Sequence, residues 1–400
     1  MSNPPPTSEC RFLQVLGFVG ICLDPGDAMR TILGPPRAAA TLALALVVLL
    51  PGAPSFPIVM QKTRTSPAAG AQYRSIAIPG AEKEASDGAG RAPVRYALPL
   101  PEIRLGSPNE HGIRPFVDAD GYERHFHGVN AVVKGPPWHP TTGEFDFETS
   151  LVAGDFELLQ AAGVSVIRLG MMWAGVEPER GSYNYTYIET LRSIAMHAAS
   201  YGIYTLLDMH QDAMSEKFCG EGLPAWAAQP SGEMPFPEPV GPAFAPLGYA
   251  GFPARSNCSK HAWSAYYFSE ASATAWQALY SNKDGLLDSW GTMWRTVAAA
   301  FKGDTHVLGI EVINEPFPGD IIHKPALLRP ELADRVSLQH VYDALSSQIW
   351  AADPARLFFF AGVPWANLGS GFLHAPGGSS NAYRSVLVFH HYEIPWSVGS

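Results

Sequence analysis

The stretch VLGIEVINEPFPGD, residues 307–320, joins a buried-strand pattern to a carboxylate. Its first residues are mostly β-branched or apolar, and Asn314, Glu315 and Pro316 follow where the chain turns. A glutamate after a strand is often only a carboxylate at a helix start. An adjacent Asn, however, can hydrogen-bond a substrate hydroxyl while the acid protonates a leaving oxygen. The stretch therefore predicts that Glu315 is a catalytic acid, which requires a partner carboxylate.

Strand and helix patterns alternate along the chain, as in a parallel α/β sheet or barrel. The predicted strands cover 125–132, 164–170, 203–210, 307–314, 357–363 and 386–392. The predicted helices cover 149–162, 186–201, 284–302 and 331–352. Nearly every strand ends on polar side chains, which favours a (β/α)8 TIM barrel with about six of its eight strands present. A doubly wound open sheet is the alternative, but its G-x-G-x-x-G fingerprint after the first strand is absent.

The composition is that of an acidic globular chain, 46% hydrophobic and 16% charged, with a formal net charge of -10. It excludes a disordered protein and, because there is no long basic run, argues against a nucleic-acid partner. An apolar run at 38–53 predicts a leader over 1–53, and a signal peptide is favoured over a signal anchor. Residues 54–109 lack periodicity and are predicted to be a flexible linker, and 110–400 form the predicted barrel domain.

The cysteines fit a secretory route. Two of the four lie in the predicted leader, and Cys219 and Cys258 fall in one Pro- and Gly-rich stretch. A disulfide between them is favoured over two free thiols in an oxidising compartment. We therefore expect the protein to be secreted or to reside in the endomembrane lumen.

Polar residues cluster where the predicted strand 203–210 ends. Because side chains alternate along a strand, Asp208, His210 and Asp212 are expected to face the same side. A buried polar cluster that satisfies itself would give the same pattern, but three polar residues at a strand exit favour a site. Asp and His are also metal ligands, yet the H-x-D spacing alone is a weak signal, and the sequence predicts no metal.

Two other strands carry polar residues. Arg168 shares a face with Val164 and Val166 and is expected to point into the barrel, where a buried Arg must pair with a carboxylate, catalytic or structural. His390 and Tyr392 lie two positions apart and are expected to face together. Their polar tips at a strand end favour a site over a packed aromatic pair.

Arg168, His210, Asn314-Glu315-Pro316 and His390-x-Tyr392, in this order, resemble glycoside hydrolase family 5. The finer resemblance is to its endoglycoceramidase-like branch. It rests on VLGIEVINEPFPGD together with GVNAVVKGPPW (128–138), LLDMHQDAMSEKFCGEGLPAW (206–226) and DGLLDSWGTMWRTVAAAFKG (284–303). The resemblance extends over roughly residues 110–396.

The resemblance implies a (β/α)8 barrel that hydrolyses a β-glycosidic bond with retention of configuration and without a cofactor. Glu315 would be the acid/base residue, and Asn314 would bind the 2-hydroxyl of the sugar. Arg168 would steady the nucleophile, and His390 would support the site.

In that branch the bond cut joins an oligosaccharide, or a single glucose, to ceramide. The expected partners are a glycolipid or oligosaccharide substrate and a lipid or membrane surface. The protein is expected to be a monomer. Lys134, His210 and Asp212 would hold the sugar nearest the lipid, and Tyr392 would lie beside the nucleophile. The insertion at 213–262 suits an apolar loop over a lipid slot, or equally a surface loop fixed by the disulfide.

The sequence departs from the family pattern in one respect. The family's nucleophilic Glu ends a seventh strand, and no Glu after Glu315 stands at such a position; Glu393 belongs to the loop after the sixth strand. We therefore expect a truncated barrel, inactive as a hydrolase in its 400-residue form. Two alternatives stay open: a polysaccharide hydrolase such as a β-glucanase or mannanase, and a non-catalytic carbohydrate-binding relic.

Overall fold

The computed structural model describes residues 15–16, 93–244, 252–364 and 370–390. The chain divides into two compact units, Met1–Ala28 with Ala92–Ser400 and Met29–Arg91, and every described residue belongs to the first. Most of the predicted leader and linker, and Tyr392, therefore lie outside the described residues. No helix within the described ranges has the length and apolarity needed to cross a bilayer.

The centre of the fold is a seven-stranded sheet in which six neighbouring strands are parallel. Their order across the sheet is their order along the chain, and one short strand pairs antiparallel with the first of them. The antiparallel strand is β1 (Val15–Leu16), and the parallel strands are β5 (Gly128–Ala131), β6 (Val166–Gly170), β7 (Tyr204–Asp208), β8 (Val307–Glu311), β9 (Phe358–Ala361) and β10 (Ser385–Val388). The six parallel strands correspond to the six that the sequence predicts, each somewhat shorter. The described strands do not close into a ring.

Helices alternate with these strands, as the sequence predicts. The helices are α1 (Ala153–Ala161), α2 (Trp173–Val176), α3 (Tyr185–Ala199), α4 (Arg255–Cys258), α5 (Glu270–Tyr280), α6 (Leu286–Ala300) and α7 (Gln339–Ala352). Helix α3 begins where the Asn184 side chain accepts a hydrogen bond from Tyr187 N, which satisfies one free donor of the first turn. A π-helical turn at Asp334–Leu338 leads into α7. Helices α2, α4 and α5 are not among the sequence predictions.

The two faces of the sheet carry different cores. Ile167 and Leu207 belong to the larger cluster, in which the sheet packs against helices such as α6. Helix α6 buries Trp290, Met293, Trp294 and Val297, whose spacing of three and four residues places them on one face. The opposite face of the sheet carries a smaller cluster and, nearer the carboxyl ends of the strands, the polar residues of the candidate site.

A small sheet covers the amino-terminal end of this smaller cluster. It consists of β2 (Arg104–Leu105), β3 (Phe116–Val117) and β4 (Glu123–Arg124), and β3 and β4 form a hairpin that turns near Asp120-Gly121. The Phe116 ring stacks on Phe359 of β9, with centroids 6.1 Å apart.

The structure differs from the predicted linker boundary at residue 109. Leu100, Ile103 and Leu105 are buried in the smaller cluster with Val166 and Phe359. The segment is extended and contains several prolines, so its isolated apolar residues show neither helical nor strand periodicity. They are buried because they pack beneath the sheet, which a local pattern does not reveal.

Candidate active site

The deepest part of the candidate site is a buried ion cluster around Arg168. Its Nε and Nη2 lie 2.7 and 2.8 Å from the two carboxylate oxygens of Glu311, and Nη2 lies 2.8 Å from Asp208 Oδ1. All three side chains are fully buried. Burial lowers the pKa of Arg168, but the charges of Asp208 and Glu311 outweigh it and leave the pKa above its ordinary value. The partners of Arg168 observed here are therefore the deep carboxylates of β7 and β8.

His210 lies just above this cluster and connects it to Asp212. Its Nδ1 is 2.8 Å from Asp208 Oδ2, and its Nε2 is 3.6 Å from Asp212 Oδ2. Burial lowers the pKa of His210, but hydrogen bonding to Asp208 and the charge of that carboxylate more than offset it, so the pKa is raised. The three residues face together, as strand alternation predicts.

Lys134 reaches this site from the loop after β5. Its ammonium group contacts Asp212 Oδ2 and lies 3.4 Å from Glu221 Oε1. Burial raises the pKa of Asp212, but His210 and Lys134 outweigh that effect and hold it well below its usual range. The structure thus brings Lys134, His210 and Asp212 together, with the Lys134 side chain half-exposed.

Glu221 completes this group, and it is not among the site residues that the sequence predicts. Its backbone pairs with that of Asp212: Glu221 N donates to Asp212 O at 2.8 Å, and Asp212 N donates to Glu221 O at 3.1 Å. Burial raises the pKa of Glu221 to about 7, Lys134 opposes the rise, and the nearby Asp212 charge adds to it. Glu221 stands in a Gly-rich stretch without strand or helix periodicity, so no local signal indicates it.

Asn314 is held by the same network. Its Oδ1 accepts a hydrogen bond from Arg168 Nη2 at 3.0 Å, and its Nδ2 donates to Gln211 O at 3.0 Å. The Gln211 side chain in turn donates to the backbone oxygens of Asn314 and Glu315 at 2.8 and 3.0 Å. These contacts fix the orientation of the amide and of the turn that follows. Gln211 is not among the site residues that the sequence predicts.

Glu315 lies in a backbone conformation that few residues adopt. Its φ is 40°, in the left-handed region, and such conformations in non-glycine residues are concentrated at functional sites. Its Oε1 lies 2.7 Å from Nδ1 of His390, which follows β10. The structure therefore brings the predicted acid and the predicted supporting histidine into direct contact.

Aromatic and apolar side chains border the polar group. Trp263 is 53% exposed, and its ring centroid lies 5.8 Å from Lys134 Nζ. Tyr267 donates its hydroxyl hydrogen to Gln211 and stacks on Phe317, which closely follows Glu315. Phe268, 36% exposed, meets the edge of Phe317. One border of the site is thus apolar and partly open to solvent.

The insertion at 213–262 is fixed by a disulfide between Cys219 and Cys258, the pair that the sequence predicts. Part of the insertion is core: Phe218 and Leu223 are buried in the larger cluster. The described part of the insertion is therefore neither a simple surface loop nor wholly an exposed apolar flap.

Among the described residues, no group of three or more His, Cys, Asp or Glu side chains is arranged to hold a metal ion. The predicted site residues Lys134, Arg168, His210, Asp212, Asn314, Glu315 and His390 all border one connected network. Tyr392 lies outside the described residues, so its predicted position stays a prediction.

Comparison with known proteins identifies a family over most of this region. The family described as cellulase (glycosyl hydrolase family 5) matches residues 117–400. An endoglycoceramidase of Cyanea nozakii is 47% identical over 279 residues, which cover 70% of this chain and 55% of the relative. An endoglycoceramidase of Hydra vulgaris is 46% identical over 279 residues, covering 70% of this chain and 54% of the relative. The chain thus spans about half the length of these relatives.

Solved structures show the same architecture. Endo-glycoceramidase II from Rhodococcus sp. in a five-membered iminocyclitol complex superposes with a TM-score of 0.55 at 23% identity, covering 71% of this chain and 59% of that chain. At this identity the likeness supports the fold alone. With the six sequential parallel strands, it confirms the (β/α)8 class of fold.

Proposed function

Because the chain belongs to glycosyl hydrolase family 5, we propose that the intact protein hydrolyses the bond between glycan and ceramide in glycosphingolipids. The endoglycoceramidases of Cyanea nozakii and Hydra vulgaris, each at least 46% identical, support this substrate class. The observation that carries the proposal is the Asn314-Glu315 pair, held at the carboxyl end of β8 by Arg168, Gln211 and His390.

The geometry suits an acid/base role for Glu315. In the first step its protonated carboxyl would give a proton to the glycosidic oxygen while a second carboxylate attacks the sugar's anomeric carbon. In the second step the Glu315 carboxylate would take a proton from water, which displaces the enzyme carboxylate and completes retention. The prediction that the attacking Glu lies on a later strand stays a prediction.

The carboxylates beneath Glu315 suit a structural role. Glu311 is fully buried, and both of its oxygens are bound by Arg168. Asp208 is likewise buried between Arg168 and His210. We propose that these two acids hold the site together, and that Asn314, fixed by Arg168, binds the sugar hydroxyl next to the bond that is cut.

The two sides of the site match the two halves of a glycolipid. Lys134, His210 and Asp212 offer charged donors and acceptors for sugar hydroxyls, as the family resemblance implies. Trp263 and Phe268 offer partly exposed aromatic surface beside them, which suits the apolar part of the substrate. This juxtaposition favours a glycolipid over a polysaccharide, which has no apolar half.

We also propose that the protein is a monomer that works in the secretory lumen or outside the cell, at a membrane or lipid surface. The Cys219–Cys258 disulfide supports such a compartment, because disulfides persist where the environment is oxidising. Fractionation of the native cells, followed by thiol labelling of these two cysteines, tests this. Labelled cysteines in a cytosolic pool would contradict it.

The activity is tested with protein expressed from its complete reading frame. Glucosylceramide, lactosylceramide and a ganglioside are compared with a soluble β-glucan and a mannan, and released sugar and ceramide are quantified. We expect glycan release from the glycolipids, abolished by Glu315→Gln. Cleavage of only the polysaccharides would support the alternative polysaccharide hydrolase, and binding without cleavage of any substrate would support the carbohydrate-binding relic.

A further inference from the structure

The Lys134–Asp212–Glu221 group contains two carboxyl groups and only one ammonium group. Lys134 therefore neutralises only one negative charge when both acids are ionised. The backbones of Asp212 and Glu221 pair directly, which holds their side chains beside the single ammonium group of Lys134. Lys134 contacts Asp212 closely, whereas Glu221 Oε1 is 3.4 Å from Nζ and forms no hydrogen bond of ordinary geometry to the described residues. Glu221 Oε1 is therefore the weakly satisfied oxygen of the group, while the Glu221 carboxyl also shares a side-chain hydrogen bond with Asp212, and the Glu221 side chain is only 14% exposed.

The backbone on both sides of Glu221 is closely packed. Gly222 has a φ of 118°, and a Cβ there would lie 2.5 Å from His210 O. A Cβ at Gly220 would lie even closer to the backbone oxygen of Asp212. Neither position therefore accepts a side chain without displacement of the chain. The Gly-Glu-Gly segment therefore packs directly on the segment that carries His210 and Asp212.

We propose that Glu221 is a positioning residue of the sugar subsite, whose gain or loss of a proton controls how Lys134 is presented to a sugar hydroxyl. The inference rests on the proposed function, in which Lys134, His210 and Asp212 bind the sugar. With Glu221 neutral, Lys134 pairs with Asp212 and keeps its remaining donors for the sugar. With Glu221 ionised, Lys134 is shared between two carboxylates, and the subsite carries an additional buried negative charge.

The groups that face Glu221 are few. Lys134 approaches from the loop after β5, and Asp212 and His210 come from the segment after β7. Tyr267, from the turn before α5, interacts with Asp212. The rise of the Glu221 pKa to about 7 places its titration where glycan binding is readily measured.

The test is the pH dependence of glycan binding by the intact protein. Lactose is titrated calorimetrically between pH 5.5 and 8.5 into wild type, Glu221→Gln and Glu216→Gln. Glu221→Gln keeps the size of the side chain but cannot ionise, and Glu216→Gln changes an exposed acid on the same insertion. For wild type we expect Kd to rise about fivefold between pH 6 and 8, the loss of about one hydrogen bond. Glu221→Gln should remove most of this rise in Kd, and Glu216→Gln should follow wild type.

Each outcome decides the proposal. Equal pH dependence in wild type and Glu221→Gln would overturn it and assign the titration to His210 or another group. The absence of lactose binding by wild type at every pH would overturn it too, because the cluster would then not be a sugar subsite. Glycolipid hydrolysis is measured separately, so failure of the proposed function is distinguishable from failure of this inference.

A second variant covers the case in which Glu221→Gln does not fold. Glu221→Asp keeps an ionisable group but withdraws it from Lys134 by about one methylene. We expect the midpoint of its Kd–pH profile to differ from that of wild type. A midpoint identical to that of wild type would contradict a role for Glu221.

Discussion

The Nδ1 atom of His390 lies 2.7 Å from the Oε1 atom of Glu315, although the two residues are 75 positions apart. Both side chains are nearly buried, with 10% and 14% exposed. Glu315 follows β8 and His390 follows β10, so the contact crosses β9 at the carboxyl edge of the sheet. One oxygen of the proposed acid is therefore oriented by a residue from a different part of the barrel.

This contact predicts that His390→Phe reduces kcat on a glycolipid substrate while KM changes little. Without the imidazole the Glu315 carboxyl can rotate, and misplacement of a catalytic group by about 1 Å costs about 100-fold in rate. Initial rates over a range of substrate concentrations separate the two constants. His111→Phe, at a histidine that is 73% exposed, is the control and should leave both unchanged. An unaltered kcat for His390→Phe would show that the contact does not orient the acid.

Glu315→Gln is expected to lower the rate of glycolipid cleavage by about 10²–10⁴-fold, the usual contribution of general acid–base catalysis. An aryl glycoside whose leaving group needs no proton should lose much less in its first step, seen as a burst of released phenol. Glu157→Gln, at an exposed acid on α1, is the matched control. Equal losses on both substrates would argue against an acid role.

Arg168→Met should destabilise the fold by about 3–5 kcal/mol, because it leaves Asp208 and Glu311 buried without their counter-charge. Urea unfolding followed by fluorescence measures the change. Arg295→Met, at an exposed position on α6, should change stability by less than about 0.5 kcal/mol. A similar small change for Arg168→Met would mean that water reaches the cluster and solvates both acids.

The parallel strands and the acid Glu315 can be predicted from the sequence because their signals are local. Strand β9 is four buried residues, Phe358–Ala361, and apolar runs of this kind are typical of parallel strands covered on both faces. The predicted strands were longer than those observed, but the pairing continues past their ends: Asn314 N still donates to Met209 O at 2.9 Å. That extension carries Asn314 and Glu315 to the edge of the sheet.

Other features had no local signal. Helix α5, Glu270–Tyr280, is buried along all of its length except Gln277, so its Ala- and Ser-rich sequence lacks the polar face that marks a surface helix. Glu221 joins the site through backbone pairing with Asp212, within an insertion whose composition indicates only a loop. The sequence does not distinguish a catalytic from a structural acid as the partner of Arg168, because pairing across strands depends on register.

Replacement of both Cys219 and Cys258 by Ser should lower stability by about 3–4 kcal/mol, the chain-entropy range for a loop of this length. The bond closes a separation of 39 residues within the insertion. Because Phe218 beside the disulfide is buried in the core, we expect the double replacement both to lower the melting temperature and to speed limited proteolysis of the insertion. Faster proteolysis without a change in melting temperature would show that the insertion opens independently of the barrel.

The raised pKa of Glu221 also predicts how the free energy of unfolding varies with pH. Its pKa in the fold is about 7, against an ordinary value of 4.5, so the folded state binds more protons than the unfolded state between these values. Stability is therefore unaffected by Glu221 below about pH 4.5 and falls as pH rises to about 7, with a penalty on the order of 1–3 kcal/mol that persists above that pH.

The variant Glu221→Gln removes this penalty, so it should be increasingly more stable than wild type as pH rises from 5 to 7, with a constant difference above pH 7. Urea unfolding at half-unit pH steps measures the two curves, and Glu157→Gln should follow wild type within about 0.5 kcal/mol. A difference that is the same at pH 5 and pH 8 would mean that Glu221 is ionised throughout. In that case Lys134, shared between Asp212 and Glu221, would already stabilise both charges.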